Sequence, residues 1–117
     1  MAALWVFIGG GLGSLLRYGC SKLFPFASGQ FPWATFCSNL LAAFLLAGLV
    51  TYFKDSAKWS VIQPLLVVGV CGGLSTFSTF TYENYQLLQQ GQLTLFWINL
   101  LLSFALSLLL FFLFMRH

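Results

Sequence analysis

Apolar residues run almost unbroken along this chain: Met1 to Leu16, Leu23 to Phe53, Trp59 to Tyr82 and Asn84 to Met115 carry no charged side chain. A hydrocarbon layer about 30 Å thick takes roughly 20 such residues in a helix, so the pattern predicts four transmembrane helices over 2–21, 33–53, 61–88 and 93–115, together one membrane domain over 1–117. The stretches "FPFASGQFP", "KDSAK" and "QQGQ", where Pro, Gly and polar residues cluster, are the predicted turns. A β-barrel is excluded because barrel strands alternate apolar and polar every second residue, and these runs are continuous. The first run has no basic leader and no small-residue cleavage site, so it is expected to remain as a span rather than be removed as a signal peptide.

Polar positions inside the runs carry the chemistry. The third run contains "VGVCGGLSTFSTFTYENY", Val68 to Tyr85, with two adjacent glycines followed by Ser75, Thr76, Ser78, Thr79 and Thr81. Each glycine in a helix interior costs about 1 kcal/mol against alanine, and irregular backbone at membrane depth persists only where protein or a wet cavity satisfies it. The predicted outcome is a third helix broken near mid-membrane at Gly72–Ser75, baring carbonyls that can bind a cation and amides that can bind an anion. Phe77 and Phe80 share a face beyond the break. Their ring edges carry partial positive charge, so with the neighbouring hydroxyls they form either an anion-friendly wall or ordinary lipid packing with hydroxyls bonded back to the helix.

Three other spans add to this. Asn39, with Ala43 and Ala47 at four-residue spacing, is either a pore group or a tie between helices. Asn99, Ser103 and Ser107 recur every four residues and are expected on one helix face about 12 Å long, at ~1.5 Å per residue. In the first span, Gly9 with Gly13 and Gly10 with Ser14 are small pairs that let helix backbones approach; no strand precedes them and no Lys-Ser/Thr follows, which argues against a phosphate loop. Arg17 near the end of that span either snorkels to the interface or lines a wet vestibule attractive to anions.

Composition narrows the class. The chain is 60% hydrophobic with five basic and two acidic residues, far below the roughly 25% charged content of soluble domains. Basic residues stand singly, which excludes a nucleic-acid partner. Cys20, Cys37 and Cys71 have no ligand spacing, and the lone His117 is terminal, so no metal cluster and no Ser/His, Cys/His or paired-carboxylate machinery exists in the spans; the protein is expected not to be an enzyme. With four spans, Lys54, Lys58 and Arg116 fall on one side and Arg17 and Lys22 on the other. Orientation follows Lys/Arg excess, and so small an excess allows insertion both ways, or in one orientation once the N-terminal amine is counted. Four short helices leave little room for a path in a monomer, which favours a dimer.

"GGLSTFSTF", Gly72 to Phe80, with "GGGLGSLLR" and "SNLLAAF", resembles the Fluc/CrcB fluoride channels over essentially the whole chain. The resemblance implies an all-α integral membrane protein forming an antiparallel, dual-topology homodimer in the bacterial plasma (inner) membrane, exporting fluoride passively against cytoplasmic toxicity. It implies a pore built from Asn39, Phe77, Ser78, Thr79, Phe80, Ser103 and Ser107, with Asn99 on the same polar track, Arg17 in a vestibule, and Glu83 as a carboxylate near the pore. It further implies a structural sodium ion at the dimer interface, held by the backbone carbonyls of Gly72 and Ser75. Two rivals differ from this. A small multidrug exporter resembles a dual-topology four-span dimer but needs a carboxylate in its first span, which is absent here; a non-transporting interaction protein would use the Gly and Ser faces only for packing.

Overall fold

Hydroxyls and an asparagine, rather than glycines, decide where the third span breaks. In a computed structural model describing residues 1–27 and 29–116, every regular element is helical: α1 (Ala2–Leu23), α2 (Trp33–Phe53), α3 (Trp59–Ile62), a π-helical segment π1 (Gln63–Cys71), α4 (Gly72–Leu74), α5 (Phe77–Gln89) and α6 (Leu93–Phe114). His117, read above as terminal and without chemistry, lies outside the described residues. Among these, α2, the stack from Trp59 to Gln89, and α6 are long and apolar enough to cross a membrane. Helix α1 has their length, 22 residues, but is diluted by five glycines and Arg17. The chain is therefore an integral membrane protein with three or four long apolar helices.

The turns fall where backbone freedom is supplied. Gly29 and Gly91 adopt φ of 77° and 73°, a region that costs glycine nothing, and the Gly29 amide donates to Gln90 Oε1 at 2.7 Å, tying the α1–α2 loop to the α5–α6 turn. Trp33, Trp97, Tyr18 and Tyr85 stand near the helix ends on that side, and Trp5, Tyr52 and Trp59 near the ends on the other. Two aromatic girdles of this kind mark the water–lipid boundaries.

Packing is built from absence of side chains. Gly9 and Gly13 are buried in α1; a Cβ on Gly69 would lie 2.7 Å from Gly9 Cα, and one on Gly73 would lie 2.5 Å from the Gly10 carbonyl oxygen. Helix α1 thus lies backbone to backbone along π1 and α4, the close approach that small residues permit in membranes. Helices α2 and α6 pack around fully buried Ala47 and the edge-to-face pair Phe44–Phe114, 5.3 Å between centroids.

The break falls at the far end of its expected stretch, past the glycines. Gly72 and Gly73 stay helical, Gly72 at φ −64° and ψ −37°. The chain turns extended at Ser75 (ψ 155°) and Thr76 (φ −153°, ψ 121°). Ser75 Oγ bonds back to the Cys71 carbonyl at 2.9 Å, and Thr76 Oγ1 accepts from the Thr79 amide at 3.2 Å, capping α5. Short hydroxyl side chains offer the backbone an alternative to the helical ladder, and here two in succession take it.

Candidate functional site: a polar cleft at the helix break

Asn39 holds the break open. Its Oδ1 accepts from the Thr76 amide at 2.8 Å, and its Nδ2 lies 3.4 Å from the Thr76 carbonyl. One side chain therefore satisfies both backbone groups of the extended residue, groups that cost several kcal/mol if orphaned in lipid. With Oδ1 spent on Thr76, what Asn39 still has to offer its surroundings is N–H, a donor. The sequence left Asn39 open between pore group and helix tie; it ties α2 to the break and faces a cleft at the same time.

That cleft, about 450 Å³, is lined by Asn39, Ser75, Thr76, Phe77, Phe80, Ser103 and Ser107 with Leu100 and Phe104. Five of the seven residues expected in the pore, Asn39, Phe77, Phe80, Ser103 and Ser107, are brought together from α2, α5 and α6. The rings of Phe77 and Phe80 are 6.5 Å apart and inclined at 35°. Phe77 is 81% exposed in the isolated chain, so this wall lies open along one side. Among the described residues, no charged side chain lines it.

Ser78 and Thr79 lie elsewhere. Ser78 is exposed, its Oγ 3.3 Å from Thr76 Oγ1. Thr79 lines a second cavity, about 340 Å³, with Arg17, Thr35, Ser38 and Glu83. Arg17 lines this cavity with its Nε donating to the Gly73 carbonyl at 3.0 Å, the acceptor that the break deprives of its helical partner. Among the described residues, buried Ser38 Oγ and Glu83 Oε1 have no hydrogen-bond partner, so the cavity offers polar atoms to whatever enters it. Thr76 lines both cavities.

Asn99 departs from the expected ladder. Four residues advance a helix by 400°, leaving ~40° of drift per step, so the Asn99–Ser103–Ser107 row spirals. Asn99 is fully buried against α5, its Nδ2 donating to Asn84 Oδ1 at 2.8 Å; Ser103 donates to Asn99 Oδ1 at 3.1 Å, and only Ser103 and Ser107 reach the cleft. Thr76 and Asn84 were not singled out from sequence as site residues. Thr76 had a usable signal, a hydroxyl three residues before Thr79 at the start of a half-helix; Asn84 had only its polarity next to Glu83.

At Gly72 the break frees another carbonyl. An α-helical partner for it would be the Thr76 amide, which goes to Asn39 instead. A Cβ on Gly72 would meet nothing within 4 Å, and Gly72 and Ser75 share a small open pocket with Ala42, Ala43 and Cys71. Neutral backbone oxygens on an uncrowded surface are donors of the type a hard monovalent cation takes, and the described residues contain no carboxylate, histidine or cysteine cluster that would suit another metal.

Comparison with known proteins decides the lineage. The family model described as CrcB-like protein, Camphor Resistance (CrcB), matches residues 4–115. The chain is a CrcB-like protein. Curated relatives include the fluoride-specific ion channel FluC of Pyrococcus abyssi, 40% identical over 94% of this chain and 89% of the relative. That of Pyrococcus horikoshii is 43% identical over 91% and 86%, and that of Pectobacterium atrosepticum 39% identical over 91% and 84%. The CrcB-like match thus spans α1 through α6, including both cavities.

Proposed function

We propose that this protein is a fluoride-selective channel that lets F⁻ leave the cytoplasm passively across the plasma membrane. The observation that carries the reading is membership of the CrcB-like family with near full-length relatives named fluoride-specific ion channels. The chemistry of the cleft supports it. Fluoride is small and tightly hydrated, so a path must replace water with short hydrogen bonds and positive dipoles; Asn39 N–H, the Ser107 and Ser103 hydroxyls and the edges of Phe77 and Phe80 are of that kind. A series of weak donors without a fixed cation binds an ion without trapping it. The Arg17 cavity, which shares Thr76 with the cleft and is also lined by Thr79, is the proposed vestibule.

The working unit is a homodimer of two inverted copies. The nearly balanced basic residues and the openness of Phe77 and of the Gly72–Ser75 surface support this. A sodium ion on the dimer axis would be held by the Gly72 and Ser75 carbonyls; its role is structural, fixing the two breaks against each other. Passive flow has a purpose because HF crosses membranes neutral, ionises inside and must leave as the ion. Purified protein in liposomes should release trapped fluoride and retain chloride. Equal release of both ions, or of neither, refutes the proposal.

A further inference from the structure

A buried hydrogen-bond chain connects the cleft to a residue outside it. Asn84 on α5 is 5% exposed, Asn99 on α6 is fully buried, and Ser103, one helical turn further along α6, is 8% exposed. In the arrangement described above, the proton of Ser103 is committed to Asn99 Oδ1 and that of Asn99 to Asn84 Oδ1, so Ser103 turns lone pairs toward the cleft. An anion there would meet an acceptor. The two carboxamides, however, have nearly the same shape with N and O exchanged. Turning both reverses the chain: Asn84 Nδ2 donates to Asn99 Oδ1, Asn99 Nδ2 donates to Ser103 Oγ, and the Ser103 proton is released to the cleft. The heavy-atom positions are kept and no hydrogen bond is lost.

We propose that Asn84 and Asn99 are positioning residues that set the direction of the Ser103 hydroxyl, making it a fluoride donor when the chain runs from Asn84 to Ser103. The inference rests on the cleft being the anion path. An asparagine pair that only joined α5 to α6 would not need to end on a cleft hydroxyl, and a serine without this chain would bond back to the carbonyl one turn earlier rather than face an ion. Reversal also lets Ser103 bind and release: with the chain running from Asn84 the hydroxyl hydrogen is free for an anion, and turning both amides back engages it again with Asn99 Oδ1.

The test is fluoride efflux from liposomes by the full-length protein, with elution profile and thermal stability in detergent as folding controls. Ser103→Ala removes the donor and is expected to slow efflux about tenfold, the scale of one hydrogen bond to a charged group. The paired change Asn84→Leu with Asn99→Leu removes both amides, so neither is left orphaned, and should slow efflux to a similar degree. Adding Ser103→Ala to that pair should cost nothing further, because all three act through one proton. Asn84→Asp keeps the shape but, as an acceptor, holds the chain in the direction that occupies the Ser103 proton; it decides the matter if the leucine pair does not fold. It too should be slow and insensitive to Ser103→Ala. Unchanged efflux in Ser103→Ala overturns both this inference and the place of Ser103 in the path. A slow Ser103→Ala accompanied by normal efflux in the amide variants, or by losses that multiply, overturns the relay alone and leaves the cleft reading intact.

Discussion

Gly73→Ala is the substitution on which the packing of this protein can be tested most directly. Alanine is the better helix former by about 1 kcal/mol, and Gly73 is helical with φ in the ordinary range of its neighbours, so local propensity alone predicts stabilisation. The tertiary structure predicts the opposite. The new Cβ would stand 2.5 Å from the Gly10 carbonyl oxygen and 3.0 Å from the Ser14 amide nitrogen, both backbone atoms of α1. Neither can rotate away, so α1 must retreat by about 0.9 Å to restore van der Waals contact. Overpacking of this kind costs typically 1–3 kcal/mol, and the rigid backbone places Gly73 at the upper end, leaving a net loss of about 2 kcal/mol after the propensity gain. The retreat also lengthens the Arg17 Nε to Gly73 carbonyl bond, now 3.0 Å, and loosens the break. Gly11→Ala is the control, because its Cβ would meet nothing within 4 Å and only the propensity gain remains. Denaturant or thermal unfolding in detergent should separate the two variants by about 3 kcal/mol, with fluoride efflux reduced in Gly73→Ala alone. If Gly73→Ala matches Gly11→Ala in stability and efflux, the backbone contact between α1 and α4 is not what holds the third span in place.

Three further outcomes are expected. Phe80→Ile and Phe77→Ile keep bulk but lose the ring quadrupole, so fluoride efflux should fall at least tenfold while the dimer elutes normally; unmodified rates in both would mean that the rings only pack. Two lysines added to the "KDSAK" turn, Lys54 to Lys58, should bias insertion and abolish efflux until an oppositely biased copy is co-expressed, whereas full activity of the biased protein alone would rule out an inverted dimer. Prolonged exchange of Na⁺ for a bulky organic cation, followed by measurement of residual bound sodium, should reduce efflux slowly; sodium-free protein with normal efflux would show that the Gly72 and Ser75 carbonyls need no ion.

The all-helical membrane class was legible in the chain because it depends on sums over long windows: the charge-free runs and the Gly- and Pro-marked turns are local properties that no tertiary contact reverses. Gly9 and Gly13 were legible as a close-packing face for the same reason, since spacing on one helix decides which residues share a side. Asn39, Phe77, Phe80, Ser103 and Ser107 could be singled out as unusual polar or aromatic groups in apolar surroundings, but their meeting in one cleft could not be read from any of the segments alone.

Several features belonged to tertiary structure only. The break sits at Ser75 and Thr76 instead of at the glycines, because the Thr76 backbone is claimed by Asn39, 37 residues away in sequence, while Gly73 is needed without a side chain for contact with Gly10 and Ser14. Arg17 had two local readings, and what anchors its guanidinium at the cavity is a carbonyl 56 residues distant. Thr79 follows the α5 surface to the Arg17 cavity while Phe80, one residue later and ~100° around the helix, lines the cleft. Asn99 and Ser107 belong to one four-residue repeat but stand eight residues apart and do not share a face, because the drift of a straight helix accumulates and α5 lies against one end of the row. Composition and periodicity determine that these helices form and reside in lipid; which polar atom faces which backbone group is decided by helices meeting, since each buried hydrogen bond needs a partner that only the folded chain supplies.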